Sequence, residues 1–248
     1  MFKLRVSRIK WGRGLMVLLL LAAILSVTAC NAIKGSGNLV TETRQVSSFD
    51  RIELSGPGKV IVSQGGSESL SIETDDNVLE HVKAEVEGRT LKLGFKAGIN
   101  LISPSRLIFS VGVDDLTGLA VSGSGDIESD MLETGRLEAA VSGSGDVRIA
   151  DLTASEVNAE ISGSGSIDLA GVVAAQDVAI SGAGQYLAGD VCSELVRVSV
   201  SGAGDATVCA TGTLDANTSG VGSINYYGRP TINSSDSGLG SINSLGEK

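Results

Sequence analysis

The sequence predicts an all-β fold, a parallel β-helix built from coils of 18–20 residues. Three observations carry that prediction. The word Ser-Gly-x-Gly begins at Ser122, Ser142, Ser162, Ser181, Ser201, Ser219 and Ser237, at intervals of 20, 20, 19, 20, 18 and 18 residues, and a sustained period of this length marks stacked repeats. Apolar and polar residues alternate on either side of the word, as in strands with one buried face. No helix-length apolar stripe lies between words, and so short a unit can bury its face only against its neighbours.

From the N-terminus, Lys3, Arg5, Arg8, Lys10 and Arg13 form a basic region ahead of the apolar run Leu15 to Val27, broken only by Ser26. This is the anatomy of an export signal, and the run is short for a membrane span. It ends in Val27-Thr28-Ala29-Cys30, which resembles the lipobox of bacterial lipoproteins, where the chain is cut before the cysteine and the cysteine carries the lipid. The resemblance implies a signal peptide over residues 1–29, lipidation of Cys30 and a lipidated tether over 30–38. Asn31 stands where lipoproteins retained in the inner membrane have Asp, which implies the outer membrane, on its periplasmic or surface face. Without the first 29 residues the chain has 14 Lys and Arg against 29 Asp and Glu, a net charge of −15. Such a surface repels nucleic acid and anionic lipid, so attachment to a membrane is expected through acyl chains alone.

Residues 39–248 read as one continuous β domain, with divergent coils and a cap over 39–119 and the repeats over 120–248. The stretch FDRIELSGPGKVIVSQG reads as two strands around a Ser55-Gly56-Pro57-Gly58 turn, a divergent first coil. Next come a strand, a brief helical turn at Asp76 to Glu80, and strands around a Glu87-Gly88 turn. In the repeats, positions −5, −3 and −1 before the word read Leu137/Ala139/Val141, Val157/Ala159/Ile161, Gln176/Val178/Ile180 and Val196/Val198/Val200. After the word, Ile127/Ser129, Val147/Ile149, Ile167/Leu169 and Ile224/Tyr226 start a second short strand, so each coil should hold two or three. Seven coils of one strand spacing would make a rod of roughly 30 Å. In the last copy Ile232, Ser234 and Asp236 replace three apolar positions, as a polar end cap should.

The word itself reads as a corner rather than a site. Seven phosphate loops in series, none followed by the Lys-Ser/Thr of a P-loop, make no chemical sense. A calcium ladder needs an acid in every unit, whereas the residue after the word runs Asp126, Asp146, Ser166, Gln185, Asp205, Ser223, Ser241. The glycines are expected to take positive φ and to let coils approach closely, with the serines hydrogen-bonding from coil to coil. Cys192 and Cys209, 17 residues apart where the period is 18–20, fall about one coil apart. Adjacent coils lie about 4.8 Å apart, within reach of a disulfide, and an exported chain is in an oxidising compartment.

The opening FDRIELSGPGKVIVSQG, the repeated VSGSGD and the closing GSINYYGRP resemble the auto-transporter adhesin head domain known as the GIN domain, across nearly all of the chain after the signal. That resemblance implies a right-handed single-stranded parallel β-helix in an exported bacterial protein and brings no catalytic residues with it. Gly98-Ile99-Asn100 is a literal Gly-Ile-Asn. No membrane-barrel segment that would export a passenger is present in the sequence.

For function, His81 is the one histidine, which removes histidine clusters and leaves any Ser-His-Asp triad resting on a charged segment. Asp114/Asp115, or Asp126 and Asp146 on adjacent coils, are the carboxylate pairs a glycosidase would need, but aromatic residues to stack on sugars are few. The expectation is a non-enzymatic lipoprotein, without cofactor or metal, that presents a flat, acidic, small-residue face to an envelope protein or glycan, in the manner of an adhesin. The alternatives are a structural envelope component with no specific ligand and, less favoured, a polysaccharide-active enzyme.

Overall fold

The computed structural model describes residues 31–101 and 106–248. The signal peptide and Cys30 lie outside the described residues. The chain forms a parallel β-solenoid of about six turns. Counting words had counted corners, and the seven coils reduce to six turns.

In the repeats the elements are β10 (Gly118–Val121), β11 (Asp126–Ser129), β12 (Leu132–Val141), β13 (Val147–Ile161), β14 (Ser166–Ile180), β15 (Gln185–Val200), β16 (Asp205–Thr218), β17 (Ser223–Tyr227), β18 (Thr231–Asp236) and β19 (Ser241–Gly246). The expected two or three short strands per coil are replaced, in β13 to β16, by single strands of 14 to 16 residues. The parallel ladder continues through the bends, so the strand curves instead of breaking. Differences in coil length are absorbed around one bend: pairing shifts register between Ile149 and Leu152, between Asp168 and Ala170, and, in the coil with the disulfide, between Ala188 and Cys192 and again between Ser193 and Leu195. The corner words stay in step.

Inward positions stack in columns, one running Leu91, Ile52, Leu119, Ala139, Ala159, Val178, Val198, Ala216. All eight are buried, and burying a Val, Leu or Ile side chain stabilises by about 1.5–3 kcal/mol. Gln176 is the polar exception at an apolar position. Its Nε2 donates to the Val191 carbonyl at 3.1 Å and to Ser193 Oγ at 2.7 Å, its Oε1 accepts from Tyr186 Oη at 2.8 Å, and Ser193 Oγ donates to the Val173 carbonyl at 2.6 Å. The buried polar group is thereby satisfied, and burial pushes the Tyr186 hydroxyl pKa well up. Beside it Cys192 and Cys209 face each other in register and form the disulfide, with a Cα–Cα distance of 4.4 Å.

Upstream, the chain runs β1 (Asn31–Ile33), β2 (Leu39–Arg44), β3 (Arg51–Ser55), β4 (Lys59–Gln64), β5 (Ser69–Asp75), α1 (Asp76–Leu79), β6 (Val82–Glu87), β7 (Thr90–Phe95), β8 (Ile99–Leu101) and β9 (Ile108–Val113). β3 and β4 form a coil around Ser55-Gly56-Pro57-Gly58, with β10 and β11 parallel on one side and β7 and β9 parallel on the other. The chain thus enters one level inside the stack, doubles back to lay the outermost level, then climbs. Antiparallel pairings of β2 with β5, β5 with β9, and β6 with β7 lie at this end. The Gly-Ile-Asn stretch also finds a place. Gly98 has φ +81, and Ile99 to Leu101 pair in parallel with Asn31 to Ile33, the residues directly after Cys30.

Candidate functional site

The Ser-Gly-x-Gly words form a corner ladder. The amide of the x residue donates to the first glycine carbonyl of the preceding word, at 2.9 Å for Ser144, Ser164, Ala183 and Ala203. None of the glycines in the seven words has positive φ; that conformation belongs to Gly56 and Gly58 in the divergent first coil. The expected φ > 0 corner is therefore corrected. Glycine is required because a Cβ on Gly163 would fall far inside van der Waals distance of the Gly143 carbonyl oxygen, and the other words repeat this contact with the coil before. The serine ladder is sparse: among the described residues Ser122 Oγ meets Ser55 Oγ at 3.0 Å, Ser201 Oγ donates to the Ile180 carbonyl at 3.5 Å, and just after the words Ser241 Oγ meets Ser223 Oγ at 3.1 Å.

The acids after the words serve the backbone. Asp126 Oδ1 accepts from the Asp146 amide at 3.0 Å, Asp146 Oδ1 from the Ser166 amide and hydroxyl at 2.7 Å, and Asp205 Oδ1 from the Ser223 amide at 2.8 Å. Where Ser166 or Gln185 occupies the coil before, the next amide turns to a glycine carbonyl, Gln185 to Gly165 and Asp205 to Gly184. Asp126 and Asp146 are thus engaged in holding coils together. Asp114 and Asp115 are exposed and border two clefts near the N-terminal end, of about 540 and 740 Å³. In the first, Arg89 pairs with Asp50 at 2.6 Å and holds its carboxyl below the usual range. His81 is partly exposed, 3.5 Å from the Glu80 carboxylate.

The face that sequence reasoning did not single out is formed by the outward positions −4 and −2. One column runs Arg51, Gly118, Glu138, Asn158, Asp177, Arg197, Asp215, Asn233; beside it run Glu53, Ala120, Ala140, Glu160, Ala179, Ser199, Asn217, Ser235. Seven strand spacings give this face a length of about 34 Å. Small residues in the second column leave a trough, seen as two clefts of about 400 and 460 Å³ that share Asp177. Arg51 is tied to Glu138 at 2.7 Å and Arg197 to Asp215 at 3.6 Å. Among the described residues Glu160 and Asp177, in mid-trough, have no ion-pair partner. The floor carries no aromatic ring. A face of this kind suits an extended partner that supplies cationic groups or hydrogen-bond donors, held by charge and polar contacts without ring stacking.

The model of the family described as "Putative auto-transporter adhesin, head GIN domain" matches residues 48–230. The chain belongs to this family. Among solved structures similar to this chain, a putative adhesin from Bacteroides fragilis NCTC 9343 is 30% identical, with 86% of this chain and 100% of that chain covered and a TM-score of 0.82. A putative lipid binding protein from Parabacteroides distasonis ATCC 8503 is 26% identical over 87% of this chain and 100% of that chain, with a TM-score of 0.75. A putative adhesin from Parabacteroides merdae ATCC 43184 is 25% identical over 87% and 99%, with a TM-score of 0.70. No curated protein matches the chain. The GIN-domain match spans both the first coil and six of the seven words, so the trough lies largely within it.

Proposed function

We propose that this chain is an exported, lipid-anchored binding module of adhesin type, whose ligand is an extended envelope protein segment or glycan laid along the trough. The observation that carries the reading is the unpaired Glu160 and Asp177 at the centre of a face about 34 Å long. The family and the neighbours named as adhesins support the class of function. The lipobox supports anchoring at Cys30, and the pairing of Asn31 to Ile33 with β8 would set the solenoid's N-terminal end close to the lipid. Among the described residues no helix is long and apolar enough to cross a membrane. Acidic charge makes basic, extended polypeptide the favoured ligand chemistry, with attraction that weakens as salt rises.

The test is binding of the purified chain to a peptide array graded in Lys and Arg content, beside a glycan array. Salt-sensitive binding to basic peptides, reduced about tenfold by Glu160→Gln with Asp177→Asn, is the expected result. Binding that ignores both substitutions would remove the trough from the account.

A further inference from the structure

We propose that the C-terminal end of the solenoid is a self-association surface, which pairs edge to edge with the same end of a second copy of this chain. β18 is hydrogen-bonded on one side, to β16, and β19 on one side, to β17. All six residues of β18 are exposed. A bare strand edge is a template for another strand, and proteins that keep such edges monomeric place proline, lysine, a bulge or a covering segment there. β18 has neither proline nor lysine, and it pairs without interruption from Thr231 to Asp236. The tail does not cover it. Arg229 binds Glu247 at 2.7 Å, and Lys248 reaches down the side of the solenoid to the Gly189 carbonyl at 2.7 Å and to the Asp190 carboxylate.

Charge selects a second copy as the occupant. Residues 31–248 carry 14 Lys and Arg against 29 Asp and Glu, so the flanks of two molecules repel each other. From Thr231 to Gly246 the single charge is Asp236, and this end is where two such molecules can meet. An antiparallel pairing of β18 with its copy centred on Ser234, which keeps inward positions opposite inward ones, would set Asp236 opposite Ile232 and place the two carboxylates at opposite ends of the pair. The side chains at this end are held to the coil before: Asn233 Nδ2 donates to Asp215 Oδ1 at 2.8 Å and Asn243 Nδ2 to Asn225 Oδ1 at 3.2 Å, so the edge offered to the copy is ordered. The exposed Ile232 and Leu239 add apolar area. The contact is isologous, and it closes at two chains.

The test is sedimentation velocity of the full chain in detergent over a wide concentration range, with the thermal midpoint recorded alongside. The parent should sediment as two chains and dissociate on dilution. Asn233→Lys with Ser235→Lys, which sets lysines opposite each other in the pair, should sediment as a single chain with close to the parental midpoint, since both side chains are exposed. A parent that is monomeric at every concentration, a pair that survives the double lysine variant, or growth beyond two chains would each overturn the proposal.

Discussion

A single glycine shows why the repeated word is written as it is. Gly163 sits over the Gly143 carbonyl, and a methyl group there has no room unless the coils part. Gly163→Ala should therefore cost about 1–3 kcal/mol or more, as overpacking does, whereas Ser164→Ala, at an exposed position whose backbone alone is used, should stay within about 0.5 kcal/mol. Urea unfolding midpoints of the two variants check this, and equal midpoints would mean that the corner tolerates a side chain. The sequence made the corner legible but only half of its reason. Positive φ is the usual explanation for glycine in an isolated turn. Here the deciding neighbour is the same word one coil earlier, so close approach alone sets the requirement. Asp146 gives a similar lesson, because its role depends on Ser166 lying directly above it, a relation that period reveals and local motif does not.

At the scale of the strand and the coil, alternation did most of the work. The inward positions −5, −3 and −1 of the repeats are buried where the period-two reading put them, Gln176 included. What could not be read was the order of coils at the N-terminal end. β7 and β9 stack outside β3 and β4 although they follow them in the chain, and no word marks that level. The trough was equally hidden, for small and charged outward residues spell a solvated face and a binding face alike. The disulfide was legible from register. It joins β15 to β16 where the pairing offset tightens to 17 residues, and it closes a loop whose restraint stabilises by roughly 3 kcal/mol in the chain-entropy model. Reduction, or Cys192→Ala with Cys209→Ala, should lower the unfolding midpoint accordingly. Peptide mapping without reductant should recover one Cys192–Cys209 pair, and two freely alkylated thiols in the folded, exported protein would contradict it.

Over the whole molecule, stability and function divide between the axis of the stack and its outer face. Stacked amides, glycine corners and apolar columns run along the axis, while Glu160, Asp177 and their neighbours sit outside it and can vary without disturbing the coils. Such a stack is held by nearest-neighbour contacts, so protection should be uniform in the middle and fall toward the last coil, where β18 and β19 are bonded on one side. Residue-resolved hydrogen exchange tests the central claim, that the Ser-Gly-x-Gly words are load-sharing corners and not mobile glycine loops awaiting a ligand. The amides of Ser144, Ser164, Ala183 and Ala203, each 2.9 Å from a glycine carbonyl in the coil before, should exchange as slowly as those of the flanking strands despite their exposed positions. Exchange of these four at the rate of an unprotected loop, beside protected strands, would contradict the account.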